Sequence, residues 1–153
     1  MADDMTFVMG KCPAELPGNL RYARSHLWCR SEGSRHAFGF TSYAVRLMRD
    51  VYFLNWSVRP GDPVQLLQQI GHLETSKAES DVFAPVAGTL VALNADLLDD
   101  PSLIDLDPYG AGWLFEIEGD AGRLMSVAEY HQFLADNWEK TQRLFKGQLN
   151  QGE

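Results

Sequence analysis

Two apolar, partly alternating runs, residues 66–73 and 82–86, flank a short polar segment that holds one lysine, Lys77, among Glu74, Glu79 and Asp81. Alternating runs joined through a few small polar residues read as a β-hairpin, which makes the two runs antiparallel neighbours and sends the intervening residues to an exposed tip. Lys77 at such a tip projects its ammonium beyond the sheet, where a modifying enzyme can reach it. Spacing alone fits a solvated surface lysine more readily, so the rest of the chain decides between the two readings.

Other strand signals surround the hairpin. Residues 27–30 and 36–40 read as strands joined by the polar loop 31–35, and Val51 to Trp56 has the β-branched and aromatic character of a buried strand. Thr41 or Ser42 caps a short helix whose Ala44, Leu47, Met48 and Val51 recur at helical spacing. A turn cluster at residues 59–63 leads into the lysine hairpin, and strands follow at 89–94 and 113–118. Gly61 with Val64 and Gly88 with Val91 bracket Lys77, a hint of two similar halves meeting at the lysine. Residues 1–19, with Pro13, Pro17 and Gly18 and no sustained period, read as a loose arm. At the other end Ser126 and Glu129 form a capping box. Behind it Tyr130, Phe133, Leu134, Asn137, Trp138, Thr141, Leu144 and Phe145 keep one helical face. That face reads as a lid on the β-rich body, with docking of a partner as the lesser alternative. The expected organisation is one mainly β (α+β) domain: an arm at 1–19, a body at 20–125, and a C-terminal helix and tail at 126–153.

A chain of 153 residues with 45% hydrophobic and 22% charged residues suits a single globular domain. Its net charge of -8 argues against nucleic acid and for docking onto basic protein surfaces. No apolar run approaches membrane-spanning length and the N-terminus lacks signal-peptide character, so a cytoplasmic location without membrane attachment is expected. Cys12 and Cys29 are too far apart in sequence to indicate a disulfide framework and read as thiols.

Three site classes find little support. Cys12, His26, Cys29 and His36 offer metal donors, but His26 and Cys29 are three apart in a strand and share no face. Asp96, Asp99, Asp100, Asp105 and Asp107 lack the ligand order of a calcium loop. His72 and Asp81 with a nearby serine lack a nucleophile elbow and oxyanion donors. No metal site and no self-contained catalytic centre is expected.

Glu74-Thr75-Ser76-Lys77-Ala78 resembles a lipoyl-attachment hairpin. Biotin carriers instead place methionine on both sides of the lysine. The wider match is to the H protein of the glycine cleavage system. It is carried by Leu20-Arg21-Tyr22, Ser25-His26 with Trp28, Gly39-Phe40-Thr41, Ser80-Asp81, residues 84–88, 91–94 and 101–104, and the run from Asp107 to Trp113. This resemblance implies a barrel-sandwich hybrid of the lipoyl-domain type, with a short internal helix and a C-terminal helix. Lipoate would be covalent on Lys77, with Glu74, Ser76, Ala78 and Asp81 as attachment context. It further implies a carrier without catalysis of its own, moving an aminomethyl group among a glycine decarboxylase, an aminomethyltransferase and dihydrolipoyl dehydrogenase, after modification by lipoate-attaching enzymes.

The chain departs from that family at defined places. Leu27 stands where a glutamate follows the Ser-His pair, and Ser42-Tyr43 where an acid and a histidine are usual. The residues 56–61 replace a Leu-Pro-x-x-Gly turn, and the last helix runs longer. In the family those polar residues help hold the loaded arm in a cleft, and Leu27 cannot pair with an amine. Two other readings therefore stay open: an H-like lipoate carrier for sulfur intermediates of a heterodisulfide-reductase-like system or a lipoate relay, and a non-lipoylated interaction module.

Overall fold

The computed structural model describes residues 2–151, with side chains through residue 142. In chain order the elements are β1 (Met5–Met9), β2 (Cys12–Leu16), β3 (Arg21–Tyr22), β4 (Leu27–Glu32), β5 (Arg35–Phe40), α1 (Ser42–Met48), β6 (Val51–Trp56) and β7 (Pro63–Val64). They continue with β8 (Gln69–Thr75), β9 (Glu79–Phe83), β10 (Gly88–Leu93), α2 (Asp96–Asp99), α3 (Leu103–Leu106), β11 (Phe115–Gly119) and α4 (Val127–Gln151).

Strands β3-β4-β5-β11-β10-β7 form a six-stranded sheet, and β6-β8-β9 a three-stranded one. Side chains alternate between the two faces of each strand. Leu27, Phe38, Leu90, Phe115 and Ile117 from the larger sheet meet Leu54, Ile70, Leu73 and Val82 from the smaller in one buried cluster. Burying both inner faces against each other yields the expected barrel-sandwich hybrid. The lysine hairpin is β8–β9, at the edge of the smaller sheet. Thr41 caps α1 as expected, its side chain accepting from the Ala44 N–H. The expected loop 31–35 is shorter: Glu32 pairs with Arg35 across a two-residue turn in which Gly33 takes φ +61°. The acidic stretch folds into α2 and α3, and its carboxylates hold turns: Asp107 accepts from the Ala111 N–H and Asp105 from the Val51 N–H.

The N-terminal segment is not a loose arm. β1 and β2 pair antiparallel about a turn with Gly10 at φ +64°. Phe7 and Met9 alternate with exposed Thr6 and Val8, and Ala14 and Leu16 with Pro13 and Glu15. Pro13 obscured this pattern. A proline excludes a central strand, but in a two-stranded sheet both strands are edges and one can accept it. The inward residues enter a second cluster with Tyr22, Trp28, Tyr43, Tyr130 and Leu134. Gly39 makes room there, since a Cβ would lie 2.6 Å from the Trp28 ring.

Helix α4 begins at the expected capping box. The Glu129 N–H donates to Ser126 Oγ at 3.2 Å and the Ser126 N–H to Glu129 Oε1 at 2.9 Å. Its inward face, Val127, Tyr130 and Leu134, covers the second cluster and so closes over β1 and the back of the larger sheet. Leu144 and Phe145, expected on the same face, lie outside the described side chains. Tyr130 stacks on Tyr22 with ring centroids 4.6 Å apart, and its hydroxyl lies 2.9 Å from His26 Nδ1 and 3.0 Å from Thr41 Oγ1. Burial lowers the His26 pKa to about 4, so a neutral imidazole occupies this contact.

Candidate functional site

Strands β8 and β9 run in register through His72↔Asp81, Leu73↔Ser80 and Glu74↔Glu79, and residues 75–78 turn between them. One side chain organises that turn. The Thr75 hydroxyl donates to the Ala78 carbonyl at 3.1 Å and accepts the N–H groups of Lys77 at 3.2 Å and Ala78 at 3.1 Å. The Thr75 N–H closes the loop onto the Ala78 carbonyl at 2.9 Å. Thr75 is buried while Ser76 and Lys77 are exposed, so a hydroxyl beneath the tip holds the lysine outward. In the sequence Thr75 was one polar residue among several. Its role follows from being the last inward-facing position of β8. We expect Thr75→Ala to lose about 1–2 kcal/mol, measured by denaturant unfolding, and to slow any modification of Lys77 as the turn loosens.

The residues expected around the lysine are placed as follows. Glu74 and Asp81 lie on the outer face of the hairpin. Asp81 Oδ1 accepts from Gln69 Nε2 at 3.1 Å and stands 3.0 Å from His72 Nδ1. Ser76 Oγ donates to Asp50 Oδ2 at 3.4 Å, linking the tip to the turn after α1. Arg49 and Asp50 in that turn both take positive φ, 51° and 34°. The weighed His72–Asp81 pair forms, but what stands near its Nε2 is Glu74, at 4.0 Å.

Beside Lys77 opens a cleft of about 410 Å³ whose walls include Cys12, Arg46, Arg49, Asp105 and Trp138. With Asp50, its lining carries two arginines and two aspartates. Burial pushes the Asp105 carboxyl above its usual range, although the Val51 N–H opposes this. The cleft joins β2, the end of α1, α3 and α4, and no local pattern announces such an assembly. Leu27 and Tyr43 do not line it. Leu27 is 1% exposed within the main core. Tyr43, also 1% exposed, packs edge-on against Phe7 and Trp138 with centroids at 5.8 and 6.1 Å. Both positions serve packing in this chain.

The metal donors considered from the sequence do not converge. His26 meets Tyr130, His36 lies 2.6 Å from Ser31 Oγ and 2.8 Å from the Gly119 carbonyl, Cys29 is buried and Cys12 lies exposed on β2. Among the described residues no helix is long and apolar enough to cross a membrane.

Comparison with known proteins agrees with this architecture. The family model "Glycine cleavage H-protein" matches residues 20–137. A glycine cleavage system H protein of Acinetobacter baumannii is 38% identical over 118 residues, covering 74% of this chain and 94% of the relative. One from Anaeromyxobacter sp. (strain K) is 37% identical over 126 residues, covering 80% and 98%. The crystal structure of a glycine cleavage system H protein from Mycobacterium marinum superposes with a TM-score of 0.69 at 33% identity, covering 80% of this chain and 98% of that one. The β1–β2 hairpin and the end of α4 fall outside the family match. With its two sheets, its lysine hairpin and relatives that align over nearly their whole length, the chain belongs to the glycine cleavage H-protein family.

Proposed function

We propose that Lys77 carries lipoate through an amide at Nζ, and that the chain is a carrier which moves an aminomethyl group between a glycine decarboxylase, an aminomethyltransferase and dihydrolipoyl dehydrogenase. The observation that carries this reading is the exposed lysine, pinned outward by Thr75 at a hairpin tip, in a chain of this family. The surroundings fit such an arm. Small Ser76 and Ala78 leave the ammonium accessible to an attaching enzyme, and the adjoining cleft has room for an alkyl chain. Lipoate supplies, when attached, a dithiolane that accepts and releases a group at a partner's active site. The protein's part is to tether and present it, which raises its local concentration at each docked enzyme. The chain would have no catalytic residue of its own.

One observation favours a second cargo. Leu27 and Tyr43 are buried in packing, so the carboxylate and imidazole that shelter an amine-loaded arm in relatives have no counterpart at these positions. A carrier of sulfur intermediates needs no such carboxylate. Intact mass spectrometry of the chain from its host, followed by incubation with glycine and the decarboxylase, tests both readings. Lipoylation at Lys77 with glycine-dependent loading is the expected result. Lipoylation without loading supports the sulfur carrier, and an unmodified chain leaves only an interaction module.

A further inference from the structure

We propose that the outer face of the lysine hairpin binds a divalent metal ion through His72 Nε2, Glu74 and Glu79, with Asp81 orienting the imidazole. His72 and Glu74 are two apart on β8 and so share a face. The ladder sets Asp81 opposite His72 and Glu79 opposite Glu74. The donor atoms of His72, Glu74 and Glu79 all lie within 4.8 Å of one another. With Asp81 Oδ1 at 3.0 Å from His72 Nδ1, the neutral imidazole places its proton on Nδ1 to donate to the carboxylate and turns its Nε2 lone pair toward Glu74, at 4.0 Å. A carboxylate behind a metal-facing histidine is the usual orienting arrangement at such centres.

The apposition of the two carboxylates also favours a cation. Glu74 and Glu79 are direct cross-strand partners, and like charges placed opposite each other destabilise a hairpin. Among the described residues, no lysine or arginine pairs with either carboxylate. A bound divalent ion would turn that repulsion into shared ligation and tie β8 to β9 beneath the tip.

One imidazole nitrogen with two carboxylate oxygens suits a borderline ion of the zinc class, with water completing the shell. Ligands held at about 2.0–2.1 Å from zinc stand roughly 3.3 Å apart, so small rotations of exposed side chains close the site. The site does not depend on lipoylation, and its test is kept apart from it.

The full chain carrying Lys77→Arg, which holds no dithiol to compete, is titrated with Zn²⁺ by calorimetry and with Co²⁺ by visible absorption. The expected result is one saturable ion per chain, with a shift of the His72 Nε2 resonance. Affinity should fall at least about tenfold in His72→Gln and in Glu79→Gln, and about 10–100-fold in Asp81→Asn. These side chains are partly or fully exposed, so the variants keep the fold, checked by circular dichroism. No saturable binding, or binding that survives His72→Gln unchanged, overturns the proposal.

Discussion

Replacing Lys77 with arginine is expected to abolish modification of the chain and every turnover that depends on its arm, while leaving stability within about 0.5 kcal/mol. The side chain is exposed, and the bonds that shape the turn use its backbone N–H, which arginine retains. Positive charge is retained too, so docking driven by the tip's electrostatics persists. What disappears is the amine that can become an amide. A reconstituted glycine cleavage assay, run beside a thermal melt, reads both quantities. Residual turnover above the carrier-free background would mean that another residue carries the arm or that no arm is used.

Much of the fold that presents this lysine was legible. β6 falls where the aromatic and β-branched run ends at Trp56, Thr41 caps α1, and Ser126 with Glu129 starts α4. These signals are local: a period, a cap, a turn residue. β3 and β7 are two residues long and cannot carry a period at all. They exist because partners elsewhere in the chain, Trp28 and Cys29 for β3 and Gly88 and Thr89 for β7, offer ladder positions.

The candidate site was legible only in part, for the same reason. Lys77 and its neighbours announced themselves through the resemblance of residues 74–78 to an attachment hairpin. Thr75 did not, because nothing in its polar surroundings distinguishes an inward threonine from an outward one. The cleft could not be read either, since Cys12, Arg49, Lys77 and Trp138 come from four separate stretches of the chain, two of them turns. Leu27 shows the limit of resemblance. The family position implies a residue near the arm, yet an apolar side chain there is buried with Phe38 and Phe115.

The N-terminal hairpin supplies the other large expected effect. A loose arm would tolerate Phe7→Ala without consequence, because an unpacked side chain contributes nothing to folding. The structure demands otherwise. Phe7 is 7% exposed and meets Tyr43, His131 and Trp138 edge-on, with centroids at 5.8, 5.6 and 5.7 Å. Truncating a buried phenylalanine costs about 3–5 kcal/mol, partly as lost transfer energy and partly as cavity. A terminal hairpin has an escape that an internal strand lacks. It can undock, which limits the loss to the free energy that holds it in place, so we expect about 3 kcal/mol by denaturant unfolding. Undocking would also uncover Tyr43 and Trp138, whose ring centroids stand 6.1 Å apart, and dismantle the wall of the cleft to which Met9 and Cys12 contribute. Hydrogen exchange separates the two contributions. Amides of β1 and β2 should lose protection first in Phe7→Ala, while those of β8 and β9 keep theirs. If stability and the exchange of β1 match the unmodified sequence, the hairpin is not docked in solution and the cleft beside Lys77 lacks that wall.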